Sequence, residues 1–299
     1  MGLINCALAP LEPERWTRWN TPDDIIRAKI GPGEVTRAVP WSTLTPEQKR
    51  FQRTKMAIHA AMISRMDAEI GKVLKQVQTM GAEQNTVVIF LSDNGASPEQ
   101  LIRGDGHDGT AAPGSARTHL GVGPGWSSCA NTPFRLHKSW VHEGGISSPM
   151  IVNWPAGLRD TKKIRHNPGH FVDVLPTLLE LAGDRPDQIP AAEAPLRPGL
   201  SFASLLRKAG RVKGPPLYFS HNSNRAIRIR DWKLVSIGEN GPWELYDLGR
   251  DRCEQKDQAS KQPARVTTMA ALWKEHDDRF VRQRETATET TKERMKPLA

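Results

Sequence analysis

Hydrophobic residues along this chain recur with two different periods, which predict helices in some segments and strands in others. Between Thr45 and Gly81 apolar side chains return every three or four residues, as expected for one long amphipathic helix. Thr45 is followed by Pro46 and an acidic residue, a combination typical of a helix start. The same spacing recurs over 172–182 and stops at Gly183, so a second, shorter helix is predicted there.

Two short apolar runs predict strands. Residues 146–154 form one short apolar run, and 86–92 form the other, which is rich in β-branched and aromatic side chains and shows no polar alternation. This pattern is typical of a strand that is buried on both faces of a parallel sheet. Between the two runs, residues 95–135 hold many glycines and almost no periodicity, which predicts a long functional loop without packed elements.

The pattern changes after a proline-rich segment at 185–198. Four segments then alternate apolar and polar side chains, as strands of an antiparallel sheet do, and a last helical pattern follows over 264–285. The four segments are 217–219, 225–230, 232–235 and 243–246. The sequence therefore predicts an α/β domain over 1–195, and a small antiparallel-sheet and helix subdomain over 196–299.

Composition and charge narrow the classes of function. The 299 residues include 42 Lys and Arg against 33 Asp and Glu, which gives a net charge of +9 at pH 7. The basic residues are spread along the chain without a recognisable nucleic-acid module, so we expect an anionic substrate and no nucleic acid. No apolar stretch reaches the roughly 20 residues of a membrane-spanning helix, so we expect no membrane partner. The first ten residues lack the regions of a signal peptide, and the location stays unknown.

Polar residues at the end of the first predicted strand are candidates for metal binding. Asp93 and Asn94 directly follow the apolar run 86–92. Open α/β sheets place their ligands at the carboxyl ends of strands, and carboxylate and amide oxygens suit Ca²⁺ or Mg²⁺. The alternative is an ordinary turn, because Asp-Asn and Asn-Gly pairs end strands in many proteins.

A second group of candidates lies between the glycine-rich loop and the second predicted strand. Lys138 is a compact cation suited to sulfate or phosphate oxygens, and it precedes His142 and Glu143-Gly144-Gly145. His142 is a candidate catalytic residue, with a hydrogen-bonded structural histidine as the alternative. In the loop itself His107, Arg117 and His119 are candidates for lining a pocket, although solvated loop residues are the simpler interpretation.

Together these motifs resemble the sulfatase family, and its arylsulfatase branch in particular. The resemblance extends from about Trp41 to Asp247. The motifs that carry it are Asp93-Asn94-Gly95, Asn131-Thr-Pro-Phe-Arg135, Lys138 five residues before Glu143-Gly-Gly, Pro149-Met-Ile-Val-Asn-Trp-Pro155, His170-Phe-Val-Asp173-Val-Leu-Pro176-Thr177 and Glu244-Leu-Tyr246-Asp247.

The resemblance implies a fold, a metal and an activity. The implied fold is part of a doubly wound sheet of the alkaline-phosphatase-like type, followed by the small antiparallel sheet and the carboxy-terminal helix. The implied activity is hydrolysis of sulfate esters, with a sulfated small molecule or glycan as substrate. In this family Asp93 and Asn94 would match two ligands of a Ca²⁺ ion, and Lys138 would match a lysine that contacts the sulfate. The family's nucleophile is a formylglycine hydrate made from the cysteine of a Cys-x-Pro-Ser-Arg motif.

The sequence departs from the family at that nucleophile. None of Cys6, Cys129 and Cys253 is followed four positions later by arginine. We therefore expect a carboxy-terminal portion that is inactive alone, for which a separate amino-terminal half would be the partner. Full-length relatives are commonly periplasmic or secreted. Two alternatives stay open: a phosphate or phosphonate monoester hydrolase of the same superfamily, and a non-catalytic chain that binds anions or complements another polypeptide.

Overall fold

The computed structural model divides the protein into two compact units. The residues it describes are 30, 33–35, 37–101, 106–159, 164–183, 199–207 and 214–294, with side chains up to 286. The first unit consists of the described residues within 11–130 and 147–214, and the second unit of those within 131–146 and 215–299. The predicted domain boundary between 195 and 196 lies outside the described residues and stays a prediction.

The helices and strands follow one another in a mixed order. In chain order the helices are α1 (Pro46–Thr79), α2 (Gly123–Ala130), α3 (Glu143–Ile146), α4 (Val174–Leu181), α5 (Ala203–Arg207) and α6 (Pro263–Arg294). The strands are β1 (Val88–Leu91), β2 (Met150–Asn153), β3 (Leu217–His221), β4 (Asn224–Ile229), β5 (Trp232–Ser236) and β6 (Trp243–Asp247). Short 3-10 turns lie at Trp41–Thr43, Glu83–Asn85, Phe171–Asp173 and Ala259–Lys261.

The long helix α1 confirms the sequence prediction at both ends. The Thr45 hydroxyl accepts a hydrogen bond from the backbone N–H of Gln48, at 3.2 Å, and the Gln48 side chain accepts one from the backbone N–H of Thr45, at 3.0 Å. This reciprocal capping box satisfies two donors that the first turn leaves without partners. The helix ends at Thr79, and Gly81 then takes a left-handed conformation, with φ of +68°.

The environment of β1 differs from the prediction of a strand buried in a parallel sheet. β1 pairs with β2 in antiparallel register, with Val88 opposite Asn153. Phe90 is 47% exposed and Ile151 on β2 is 62% exposed. The apolar run does form a strand, but the described residues supply it with one neighbouring strand and leave apolar side chains in contact with solvent. The absence of polar alternation therefore predicted the strand correctly, but its burial in a parallel sheet was predicted wrongly.

The prediction of a long loop without packed elements over 95–135 is wrong for its second half, which contains α2. This helix begins at Gly123 and has no apolar periodicity, because it packs through small residues. A Cβ atom added to Gly123 would lie 2.9 Å from Nζ of Lys55, so this position is in tight contact with α1. Ser127 is fully buried in the same helix. Leu101 and Leu120 form an isolated antiparallel bridge upstream of it.

The second unit is an antiparallel meander, as predicted. The sheet runs in the order β3, β4, β5, β6, and every neighbouring pair is antiparallel. One face packs against α6 through Ile227, Leu234, Leu245, Met269 and Trp273. The opposite face packs through Val141, Ala226, Val235, Tyr246 and Leu248. The two-residue alternation of strand side chains therefore supplies two apolar layers, and the sheet is covered on both sides.

The carboxy-terminal helix α6 extends beyond the predicted range 264–285, because it continues through a Thr-, Glu- and Lys-containing stretch to Arg294. Even the two longest helices, α1 and α6, fall short of the apolar character that a bilayer crossing requires, and the same holds for every other helix in the described ranges.

A buried ion cluster joins α3 to β5 within the second unit. Lys233 is completely buried, and its ammonium lies 3.0 Å from the Glu143 carboxylate and 2.8 Å from the Glu254 carboxylate. The Glu254 carboxylate also accepts a hydrogen bond from the backbone N–H of Glu143, at 2.7 Å. A buried lysine charge is tolerated only when opposite charges surround it in this way.

We predict that core truncation in the second unit costs far more stability than truncation of an exposed apolar residue. Leu245 is fully buried, so Leu245→Ala should lower the free energy of unfolding by about 2–5 kcal/mol. Leu175 on α4 is 57% exposed, and Leu175→Ala is the matched control, with an expected loss well below 1 kcal/mol. Urea unfolding followed by tryptophan fluorescence measures both, and equal losses would contradict the packing described above.

We also predict that the Glu143 cluster makes the fold sensitive to acid. Burial opposes the ionisation of Glu143. The ion pair with Lys233 outweighs burial, with help from Arg228 and Arg252, and lowers the pKa of the carboxyl below its ordinary value of 4.5. A carboxyl group of this kind stabilises the fold above its unfolded-state pKa and loses that contribution as the pH falls through its folded-state pKa. The free energy of unfolding should therefore fall below about pH 4.5.

Isosteric variants test the source of this acid sensitivity. Glu143→Gln cannot ionise and should flatten the dependence of the unfolding free energy on pH in the acid range. Glu69→Gln removes a carboxylate from exposed ion pairs on α1 and should leave that dependence unchanged. If the wild-type protein and both variants showed the same acid dependence in urea unfolding, the cluster would not be its cause.

Candidate active site

Asp93 and Asn94 lie in the first unit, directly after β1. The Asp93 side chain is exposed and that of Asn94 is half-buried. The hydroxyl of Ser92 donates a hydrogen bond to the backbone carbonyl of Asn94, at 2.9 Å, which fixes the turn. Because β1 is paired antiparallel, these residues do not lie at the carboxyl edge of a parallel pair among the described strands. They lie next to each other just beyond the strand end at Leu91, and their role as metal ligands stays a prediction.

The donor set of Asp93 and Asn94 fits a hard cation in kind but not in number. Ca²⁺ takes six to eight oxygen ligands, of which carboxylate and amide oxygens are typical. Within the described ranges no group of three or more His, Cys, Asp or Glu side chains is arranged to hold a metal ion. Asp93 and Asn94 thus supply two donors, and further ligands would have to come from elsewhere.

Lys138 and His142 lie in one segment of the second unit. Lys138 is half-buried, and its neighbours Leu136 and Ser139 both have left-handed backbone conformations, with φ of +66° and +80°. Such conformations cost energy for residues other than glycine, so the surrounding contacts must impose this path on the segment. The sequence did not predict this distortion, because neither residue is of a type that favours it.

His137 holds the backbone of Lys138. Its Nδ1 atom lies 2.9 Å from the carbonyl oxygen of Lys138 and therefore donates to it. Burial lowers the pKa of His137 to about 4, although the hydrogen bond to Lys138 acts in the opposite direction. The ring is consequently neutral at pH 7, and it fixes the lysine backbone without adding a second positive charge.

Glu143-Gly144-Gly145 braces this segment through close backbone packing. A Cβ atom on Gly144 would lie 2.2 Å from the carbonyl oxygen of Leu136, and one on Gly145 would lie 2.0 Å from that of Trp140. Only glycine fits at either position. The carboxylate of Glu143 points into the buried ion cluster with Lys233, so this motif supports the segment structurally.

His142 is completely buried, and its Nε2 atom lies 3.5 Å from a carboxylate oxygen of Glu244. The same carboxylate pairs with the Arg135 guanidinium at 2.8 Å and accepts a hydrogen bond from the Tyr246 hydroxyl at 2.6 Å. Burial by itself would raise the pKa of Glu244, but His142, Arg135 and the tyrosine together hold it well below its usual range. A catalytic role of His142 stays a prediction.

Contacts between distant motifs were missed by sequence reasoning. Arg135 donates to Glu244 and, at 3.0 Å, to the hydroxyl of Tyr246. The sequence placed these residues in separate motifs, and a separation of 109 positions carries no local signal. The sequence indicates only weakly that Lys233 is buried, because the alternation of side chains along β5 places it on the same face as the buried Val235.

Comparison with known proteins gives the same family as the motifs. The sulfatase family model matches residues 35–184. An uncharacterized sulfatase of Schizosaccharomyces pombe is 30% identical over 281 residues, which cover 84% of this chain and 48% of the relative. An arylsulfatase of Klebsiella aerogenes is 32% identical over 179 residues, which cover 55% of this chain and 38% of the relative. The chain thus spans about half or less of the length of these curated relatives.

A solved structure shows the fold. The crystal structure of Ps i-CgsB superposes with a TM-score of 0.54 at 23% identity, over 72% of this chain and 42% of that one. The fold class is accordingly α/β of the alkaline-phosphatase-like type, with the antiparallel sheet and carboxy-terminal helix of the second unit. The family model covers half of the chain and the relatives agree with it, so this chain belongs to the sulfatase family.

Proposed function

We propose that this chain is part of an enzyme that hydrolyses sulfate esters of a small molecule or glycan. Asp93 and Asn94 serve as ligands of a Ca²⁺ ion, and Lys138 contacts the sulfate group. The observation that carries this proposal is the sulfatase family match over 35–184, which spans all three of these residues. The net charge of +9 is consistent with an anionic substrate.

The chemistry of the three side chains supports these roles. A Ca²⁺ ion held by the oxygens of Asp93 and Asn94 would neutralise negative charge on the group that is transferred. Lys138 offers a compact positive charge to sulfate oxygens. Its backbone is held by His137 and lies between Leu136 and Ser139, which have left-handed conformations. The side chain therefore extends from a backbone of fixed conformation.

The exposed apolar side chains of the first unit are evidence that a second polypeptide segment binds to it as a partner. Phe90 and Ile151 project from the β1–β2 pair, and Leu175 from α4, with roughly half or more of each side chain exposed. Burial of one such side chain contributes about 1.5–3 kcal/mol. We propose that a separate amino-terminal half, which carries the nucleophile motif, covers these side chains.

We predict that the 299-residue chain alone does not turn over sulfate esters. The purified protein, assayed with an aryl sulfate in the presence of Ca²⁺, should give a rate equal to that of buffer, because no residue of the chain matches the family's nucleophile motif. Parallel assays with an aryl phosphate and an aryl sulfate, on a polypeptide completed with an amino-terminal half, test the phosphate-ester alternative. Calcium-dependent turnover that Asp93→Ala abolishes would contradict the expected inactivity.

We further predict a specific role for Lys138 in the completed enzyme. In a polypeptide that joins this chain to an amino-terminal half with the nucleophile motif, Lys138→Ala should lower kcat/KM for an aryl sulfate by about 100-fold or more. Lys256→Ala removes an exposed lysine of the same unit and is the matched control, with an unchanged kcat/KM expected. An equal effect of the two substitutions would refute the assignment of Lys138 to the sulfate.

A further inference from the structure

The segment 106–119 of the first unit is a closed and well-braced loop. The backbone N–H of Asp108 donates to the carbonyl of Arg117, at 2.9 Å, and the side chains of these two residues form an ion pair at 2.7 Å. The hydroxyl of Thr110 donates to the Asp108 carboxylate, at 2.6 Å. Contacts across the loop therefore tie its two arms together.

Two histidines stand where the arms of this loop meet. The ring centroids of His107 and His119 are 6.4 Å apart, and the rings are tilted by 55°. The backbone N–H of His119 donates to Nδ1 of His107, at 3.1 Å. Since Nδ1 of His107 accepts a hydrogen bond, the neutral ring carries its proton on Nε2, which makes Nε2 a hydrogen-bond donor.

Two of the three remaining ring nitrogens of this pair are buried and have no hydrogen-bond partner among the described residues. Neither Nε2 of His107 nor Nδ1 of His119 forms a hydrogen bond to any described residue, and both atoms are shielded from solvent. Buried polar side chains almost always have a partner, and an unsatisfied one costs about 1–3 kcal/mol. A braced loop that leaves two such atoms unsatisfied is suited to a ligand that supplies the missing partners.

We propose that His107 and His119 bind oxygen atoms of the substrate of the sulfatase, either those of a sulfate group or those of sugar hydroxyls. The proposal rests on the proposed function for the identity of the ligand. His107 can only donate through Nε2, so the ligand atom must accept a hydrogen bond. Nδ1 of His119 can donate to an oxyanion in one tautomer or accept from a hydroxyl in the other. An oxygen atom can satisfy the free nitrogen of either ring, whereas an apolar group satisfies neither.

The oxygen ligand is favoured over a metal ion by the tautomer of His107. A metal bound at Nε2 requires that atom to be deprotonated, with the proton on Nδ1, but Nδ1 already accepts the hydrogen bond of His119. In addition, no third metal-binding side chain joins the pair within the described ranges.

Binding of simple probes to the 299-residue chain tests the proposal independently of turnover. Imidazole nitrogen resonances are followed by NMR while inorganic sulfate, an unsulfated monosaccharide or Zn²⁺ is added in separate titrations. We expect saturable shifts of both His107 and His119 with sulfate or with the monosaccharide, and the probe that acts identifies the source of the oxygen. The exposed His166 is the internal control and should shift only with bulk conditions.

Two variants of His107 separate binding from folding. His107→Gln keeps a donor and an acceptor and should retain the shift of His119, whereas His107→Phe should remove it. Backbone amide spectra confirm that each variant is folded. The proposal is overturned if neither oxygen probe shifts the two histidines more than His166, or if Zn²⁺ alone shifts them. Because no step depends on catalysis, an inactive chain leaves this test intact.

Discussion

The charge of Lys233 inside the second unit is the constraint on which the Lys138 segment depends. An ammonium group that is fully buried must be neutralised, and Glu143 and Glu254 do so from two different parts of the chain. Removal of one partner of such a cluster typically costs about 3–5 kcal/mol, because the remaining charge is left buried and unpaired. The cluster therefore fixes α3 against β5, and with it the short stretch of chain from Arg135 to Gly145.

A second layer of contacts determines the path of this stretch. Arg135 is tied to Glu244 on β6, and Gly144 and Gly145 allow backbone to pack directly on backbone. His137 then anchors the carbonyl of Lys138. The backbone of the lysine proposed to contact sulfate is thus supported by a strand, a buried ion cluster and a neutral histidine. Rigid support of this kind is what a charged binding group requires.

Much of the fold was predictable because its signals are local. The capping box at Thr45 and Gln48, the apolar spacing of α1 and the alternation along β4, β5 and β6 all act within a few residues. The predictions were wrong where contacts between residues far apart in the sequence determine the structure. The apolar run of β1 predicted a strand but not its antiparallel pairing with β2, and α2 was missed because it packs through glycine and serine.

The residues of the candidate site are predictions from the sequence, and the contacts that support them in the structure could not be predicted from it. Asp93, Asn94 and Lys138 were singled out from their chemistry and from the resemblance, whereas the Arg135–Glu244 pair joins positions far apart in the sequence. The most direct measurement is a crystal structure of the completed enzyme with Ca²⁺ and sulfate. We predict a Ca²⁺ ion bonded to Asp93 and Asn94, and a sulfate oxygen within hydrogen-bond distance of Nζ of Lys138. A Ca²⁺ ion bound to other residues, or a sulfate remote from Lys138, would contradict it.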